Sequence, residues 1–179
     1  IKLNLRYIVY CLLAVVFSFL LHEFTHWITG EILGYKMEMT LNKVFPLKGS
    51  YDKNWHYTLI SATGPLVTLL QTLTVFLLIK RTSNSNLYPF LFTSFYLELL
   101  SGVMNFSSPN DLGRISRTFN LGLFTIPIAF ILCHLILTYK ISIKEKYSGK
   151  FILKTLLLVI LFSSIWILAN QKFNIAIIK

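Results

Sequence analysis

Long apolar runs separated by short polar segments set the pattern of this chain. Five runs approach the roughly 20 residues that cross a bilayer core. They cover Tyr7 to about Leu33, Tyr57 to Ile79, Tyr88 to about Asn105, Leu121 to Tyr139 and Phe151 to Ala169. The third is the shortest and carries Glu98. The first is too long for the apolar core of a cleaved signal and holds a polar motif, so it is expected to remain as a span. Between the first two runs, Lys36 to Val44 partly alternates polar with apolar side chains. That period of two predicts a short strand. Pro46 and Gly49 follow and suggest the turn of a small hairpin. The loops at 80–86, 106–120 and 140–150 are polar, and the last is strongly basic. The expected fold class is all-α transmembrane, a polytopic bundle of about five spans with a strand or hairpin after the first.

Composition agrees with that pattern. Of the 179 residues, 55% are hydrophobic and 13% charged, against about a quarter charged in soluble domains. One membrane domain, 1–179, is expected. The net charge of +10 is assigned to Lys and Arg meeting lipid headgroups rather than nucleic acid. The Lys/Arg balance between the two sides of the five spans is nearly even, so it assigns no orientation. Cys11 and Cys133 lie within spans and read as small buried hydrophobes.

Within the first run stands His22-Glu23-Phe24-Thr25-His26. Residues four apart share one helix face, so His22 and His26 can direct imidazole nitrogens at one ion, with Glu23 beside them. The composition predicts roughly 0.003 chance matches to this motif. Three ionisable groups inside a membrane helix are costly and are functional by default. Zn2+ suits two neutral imidazoles and a carboxylate, and it activates water near neutral pH. Glu23 is then the expected general base and acid. A third ligand must come from elsewhere. Thr29 and Ile32 exclude the metzincin pattern, which needs Gly and His there. Glu31, Glu38, His56, Glu98, Asp111 and His134 are the candidates. Asp111 is the best on local grounds, because Pro109, Asn110 and Gly113 break a hydrophobic run around it.

These features together resemble the site-2 protease family of intramembrane zinc metalloproteases. The resemblance is carried by His22-Glu23-Phe24-Thr25-His26, by Ser61-Ala62-Thr63-Gly64-Pro65-Leu66-Val67-Thr68, and by Asn105-Phe106-Ser107-Ser108-Pro109-Asn110-Asp111-Leu112-Gly113. It covers about residues 7–120 and leaves 121–179 as two additional spans. It implies a zinc endopeptidase with His22, His26 and Asp111 as metal ligands and Glu23 as the catalytic residue. It also implies a membrane protein or peptide as substrate, and a strand near the site that pairs with it. The expected setting is the lipid bilayer, as a multi-pass protein of the cell membrane. Two positions depart from the family pattern: Thr68 stands where Asn is frequent, and Leu112 separates Asp111 from Gly113. The alternatives are a non-catalytic zinc-binding relative with a regulatory role and a metal-handling transporter.

Overall fold

The computed structural model describes residues 4–179; the first three residues of the expected domain lie outside this range. Six α-helices and three short strands follow one another in these residues. Helix α1 spans Leu5–Ile32, α2 Asn54–Thr82, α3 Tyr88–Met104, α4 Asp111–Thr118, α5 Thr125–Lys144 and α6 Gly149–Phe173. All but α4 are long and apolar enough to cross a membrane, α3 together with the short turn Ser85–Leu87 that precedes it. The five expected spans are therefore present. The expected loop at 106–120 contains α4, and α5 runs through the start of the basic segment to Lys144.

The strands are β1 (Met37–Thr40), β2 (Val44–Pro46) and β3 (Ala176–Ile178), in the order β2-β1-β3. The expected hairpin is β1 with β2, antiparallel, with Glu38 opposite Phe45. The sequence reading did not anticipate β3, which pairs antiparallel with the other edge of β1.

Side chains are distributed as in a lipid-facing bundle. Large apolar residues such as Leu70, Leu157 and Leu168 point outward and stay more than half exposed. Polar groups point inward, and some bind one another across helices: Gln71 Nε2 donates to Ser18 Oγ at 2.7 Å and Ser94 Oγ at 2.9 Å, tying α2 to α1 and α3. Polar ties and small side chains supply helix association where lipid tails are as apolar as Leu. A buried apolar cluster around Tyr7, Cys11, Tyr88, Leu91, Phe151 and Val159 joins α1, α3 and α6. Along α1 it runs from Tyr7 to Phe19, ending about one turn before the His22 motif.

The glycines separate into distinct roles. Gly30 and Gly34 have the spacing of a helix-packing pair, but Gly34 lies beyond α1 with φ +89° and turns the chain toward β1. Gly30 is where the hairpin seats: a Cβ there would lie 2.6 Å from Met37 Cγ.

Helix α6 clasps the other side of the hairpin. Asn170 Oδ1 accepts from the Leu41 N–H at 3.3 Å, its Nδ2 donates to Thr40 Oγ1 and to Asn42 Oδ1, and Trp166 Nε1 donates to the Leu41 carbonyl at 2.8 Å. Removing such a buried partner costs about 1–3 kcal/mol. Asn170→Ala should therefore lower stability by about that amount and speed amide hydrogen exchange selectively across residues 40–46. Uniform exchange rates in wild type and variant would show that the clasp contributes nothing.

Candidate metal centre

Three elements that are distant in sequence meet at one point. His22 and His26 stand one turn apart on α1, and Asp111 opens α4. His26 Nε2 lies 3.1 Å from His22 Nε2. Asp111 Oδ2 lies 3.6 Å from His22 Nε2 and 3.4 Å from His26 Nε2. All three residues are largely buried, with side-chain exposures of 14%, 7% and 13% for His22, His26 and Asp111. The group could hold a metal ion.

The protonation of the rings follows from their outer nitrogens. His26 Nδ1 lies 2.6 Å from the Ile60 carbonyl, which can only accept, so Nδ1 carries the proton. The Thr68 hydroxyl donates to the Gly64 carbonyl at 3.0 Å and is left to accept from His22 Nδ1 at 2.9 Å. In the neutral rings both Nε2 atoms therefore turn lone pairs inward. The third group is anionic. Burial works against charge on Asp111, but a proton held on the His26 and His22 side, together with Arg114, outweighs it and holds the carboxyl well below its usual range. Two lone pairs and a carboxylate at this separation repel unless a cation lies between them. A shared proton bridges one pair; a metal ion satisfies all three. The outer bonds from Ile60 and Thr68 are of the kind that fix ring orientation in metal sites.

Helix α2 makes the convergence possible. A Cβ on Gly64 would collide with His26 Nε2 and would stand 2.6 Å from His22 Nε2. Glycine is needed there because the imidazoles occupy the space of a side chain. Pro65 follows inside an unbroken helix and has no N–H for the Ser61 carbonyl. Thr68, one of the two departures from the family pattern, supplies the polar contact to His22.

The break between α3 and α4 aims Asp111. Asn105, almost fully buried, donates through Nδ2 to the Ser101 and Gly102 carbonyls and accepts the Asn110 N–H at 2.7 Å through Oδ1. Asn110 caps α4 by accepting the Asp111 N–H and anchors to Ser101 Oγ at 3.0 Å. A Cβ on Gly113 would strike Asn105 Oδ1. The glycine thus serves the bend from one position beyond Leu112, and Leu112 itself is buried.

A cavity of about 420 Å³ opens beside the ligands. Its lining includes Glu23, His26 and Asp111 together with β2, Tyr51, Tyr57 and Arg114. Burial pushes the Tyr51 phenol up to about 12, so it stays a neutral hydroxyl. The other candidate ligands lie outside the triad. Glu31 accepts the Met37 N–H at 2.7 Å. His56 is engaged by the Tyr35 hydroxyl at 2.6 Å and is not on the cavity wall. His134 Nδ1 faces the Phe130 carbonyl at 2.8 Å. Glu98 is buried near Asp111 and His26, and both its oxygens lack a hydrogen-bond partner among the described residues.

From the sequence, Asn105 and Asn110 are expected either to cap the broken helix or to bond the substrate backbone or Asp111; in the structure both bind backbone groups of the break. The role of Arg114 was not singled out in the sequence. Arg114 had only its i,i+3 spacing from Asp111.

No family model, curated protein or solved structure matches this chain.

Gly64→Ala tests the close approach directly. The variant should bind a divalent metal ion at least about 10-fold more weakly, as when ligand orientation is disturbed. Gly102→Ala meets only the end of the Ile131 side chain, at 2.5 Å, and should bind as wild type. Equal affinities for Gly64→Ala and wild type would mean that the imidazoles do not depend on this gap.

Proposed function

We propose that the chain is an intramembrane zinc endopeptidase of site-2 protease type, which hydrolyses a peptide bond in or near a transmembrane segment of another membrane protein. One observation carries this reading: His22, His26 and Asp111 direct three donors at one point, and Glu23 lines the cavity alongside. The donor set fits zinc. Bonds of about 2.0–2.1 Å at tetrahedral angles separate neighbouring donors by about 3.3 Å, and the separations here are 3.1, 3.4 and 3.6 Å. The five apolar helices support a multi-pass membrane protein, and the cell membrane is the setting proposed for it.

When bound, zinc supplies Lewis acidity toward a scissile carbonyl and brings the pKa of water near 7. The chain's own groups do the rest. His22 and His26 hold the ion with rings fixed by Thr68 and Ile60. The Glu23 carboxylate takes a proton from the attacking water and delivers it to the leaving amine nitrogen.

The hairpin supports an extended substrate. The Thr40 N–H donates to the Lys43 carbonyl at 2.9 Å, and the Leu47 N–H donates to the Lys36 carbonyl at 2.8 Å. By the alternation of an antiparallel pair, Val44 and Pro46 turn their backbone groups away from β1. The outer edge of β2 therefore offers the Val44 N–H and carbonyl and the Pro46 carbonyl. All three β2 residues line the cavity. A peptide added to that edge is held extended beside Glu23, with its backbone groups satisfied in a region where little water is available.

The test uses the full chain in liposomes with a co-reconstituted fluorogenic transmembrane peptide. Wild type should bind zinc and cleave. Glu23→Gln should keep its zinc and lose activity by about 100-fold or more. Asp111→Ala should lose zinc itself. Cleavage that persists in Glu23→Gln sinks the protease reading. Zinc bound without turnover of any peptide assigns the site a binding role, and zinc flux across the liposome membrane assigns transport.

A further inference from the structure

Arg114 lies one turn after Asp111 on α4, so the two side chains share a face. The guanidinium donates an N–H to Asp111 Oδ1. That leaves Oδ2 as the oxygen directed at both imidazoles, at 3.4 and 3.6 Å. The two carboxylate oxygens are thus divided between a cationic side chain and the metal position.

The guanidinium is itself seated. Its carbon lies 5.0 Å from the centre of the Tyr57 ring. Tyr57 stacks on Tyr51, with centroids 5.1 Å apart and planes within 24°. Tyr51 meets Tyr35 edge-on at 5.2 Å. The Tyr35 hydroxyl is fixed in turn by His56 at 2.6 Å and by the Asp52 N–H at 3.1 Å. A continuous series of contacts therefore runs from the loop after the hairpin to the carboxylate of Asp111.

We infer that Arg114, seated on Tyr57, is a positioning residue that fixes Asp111 as a one-oxygen metal ligand. The inference rests on the metal reading of the site. A carboxylate at the first position of a helix, without a partner on its second oxygen, pivots about its own χ torsions and can present either oxygen or both. A planar guanidinium that holds Oδ1 removes that freedom and leaves a single donor directed at the ion. Its planarity matters because the same group must lie against a ring and donate in a fixed direction. A lysine ammonium keeps the charge but supplies neither the flat face nor the fork.

Zinc affinity, measured by competition with a chelating dye on the purified full chain, provides the test without any substrate. Arg114→Met and Arg114→Lys should each bind zinc about 10- to 100-fold more weakly than wild type. Tyr57→Leu should weaken it in the same direction. In the cobalt-substituted protein, the d–d absorption bands should shift in all three variants, because the oxygen donor changes its angle or number. A role in stability alone would leave the bands of the folded protein unmoved. If Arg114→Met does not fold, as read from the thermal unfolding of the zinc-free protein, Arg114→Lys and Tyr57→Leu decide. Wild-type affinity and unshifted bands in the folded variants overturn the inference while the metal site stands. A wild type that takes up no zinc overturns the metal reading and the inference with it.

Discussion

Mutual repulsion of three electron-rich atoms is the constraint on which this structure turns. His22 Nε2, His26 Nε2 and Asp111 Oδ2 approach one another to 3.1–3.6 Å in a largely buried region. Such groups cannot be left facing each other in a low-dielectric interior without a cation. Each imidazole has its other nitrogen committed, to Ile60 and to Thr68, so neither ring can turn away without losing a buried hydrogen bond. The surroundings fix the three atoms in place while leaving their charge balance to a shared proton or a metal ion.

Meeting that constraint shapes three separate parts of the chain. Helix α2 gives up a side chain at Gly64 so that both imidazoles can occupy the gap. The chain after α3 breaks and restarts, with Asn105 and Asn110 taking up the backbone groups that the break frees. The restart opens α4 at Asp111, where the positive end of the helix macrodipole favours a carboxylate. The hairpin then sits against α1 over Gly30 and forms a wall of the same cavity.

Much of this was legible in the sequence because its signals are periodic or compositional. The five spans follow from uninterrupted apolar length, and the hairpin from the alternation of Lys36 to Val44 followed by Pro46. The His22–Glu23–His26 face follows from helix geometry alone. The joining of Asp111 to that face depended on topology: two crossings between α1 and α4 return the chain to the same end of the bundle. Other features were not legible. β3 comprises only Ala176–Ile178, and a strand of three residues carries no usable period. Helix α4 is eight residues long in a segment rich in turn formers, so local composition reads as loop. Thr68 and Leu112 looked like departures from a pattern. In three dimensions Thr68 reaches His22 directly, and Gly113 reaches Asn105 from one position later.

The segment after residue 120 is structurally part of the site, although the motifs end before it. Asn170 and Trp166 on α6 bind the turn between β1 and β2, and β3 occupies the inner edge of β1. With that edge filled, the sheet's pairing capacity next to Glu23 lies on the outer edge of β2. A three-stranded sheet is also a firmer platform than an isolated hairpin, which is marginal by itself. The last span and the strand after it therefore act on the cavity through the hairpin: they hold β1 and leave the outer edge of β2 facing it. The motifs within residues 7–120 supply the three candidate ligands, but the shape of the cleft beside them depends on the rest of the bundle as well.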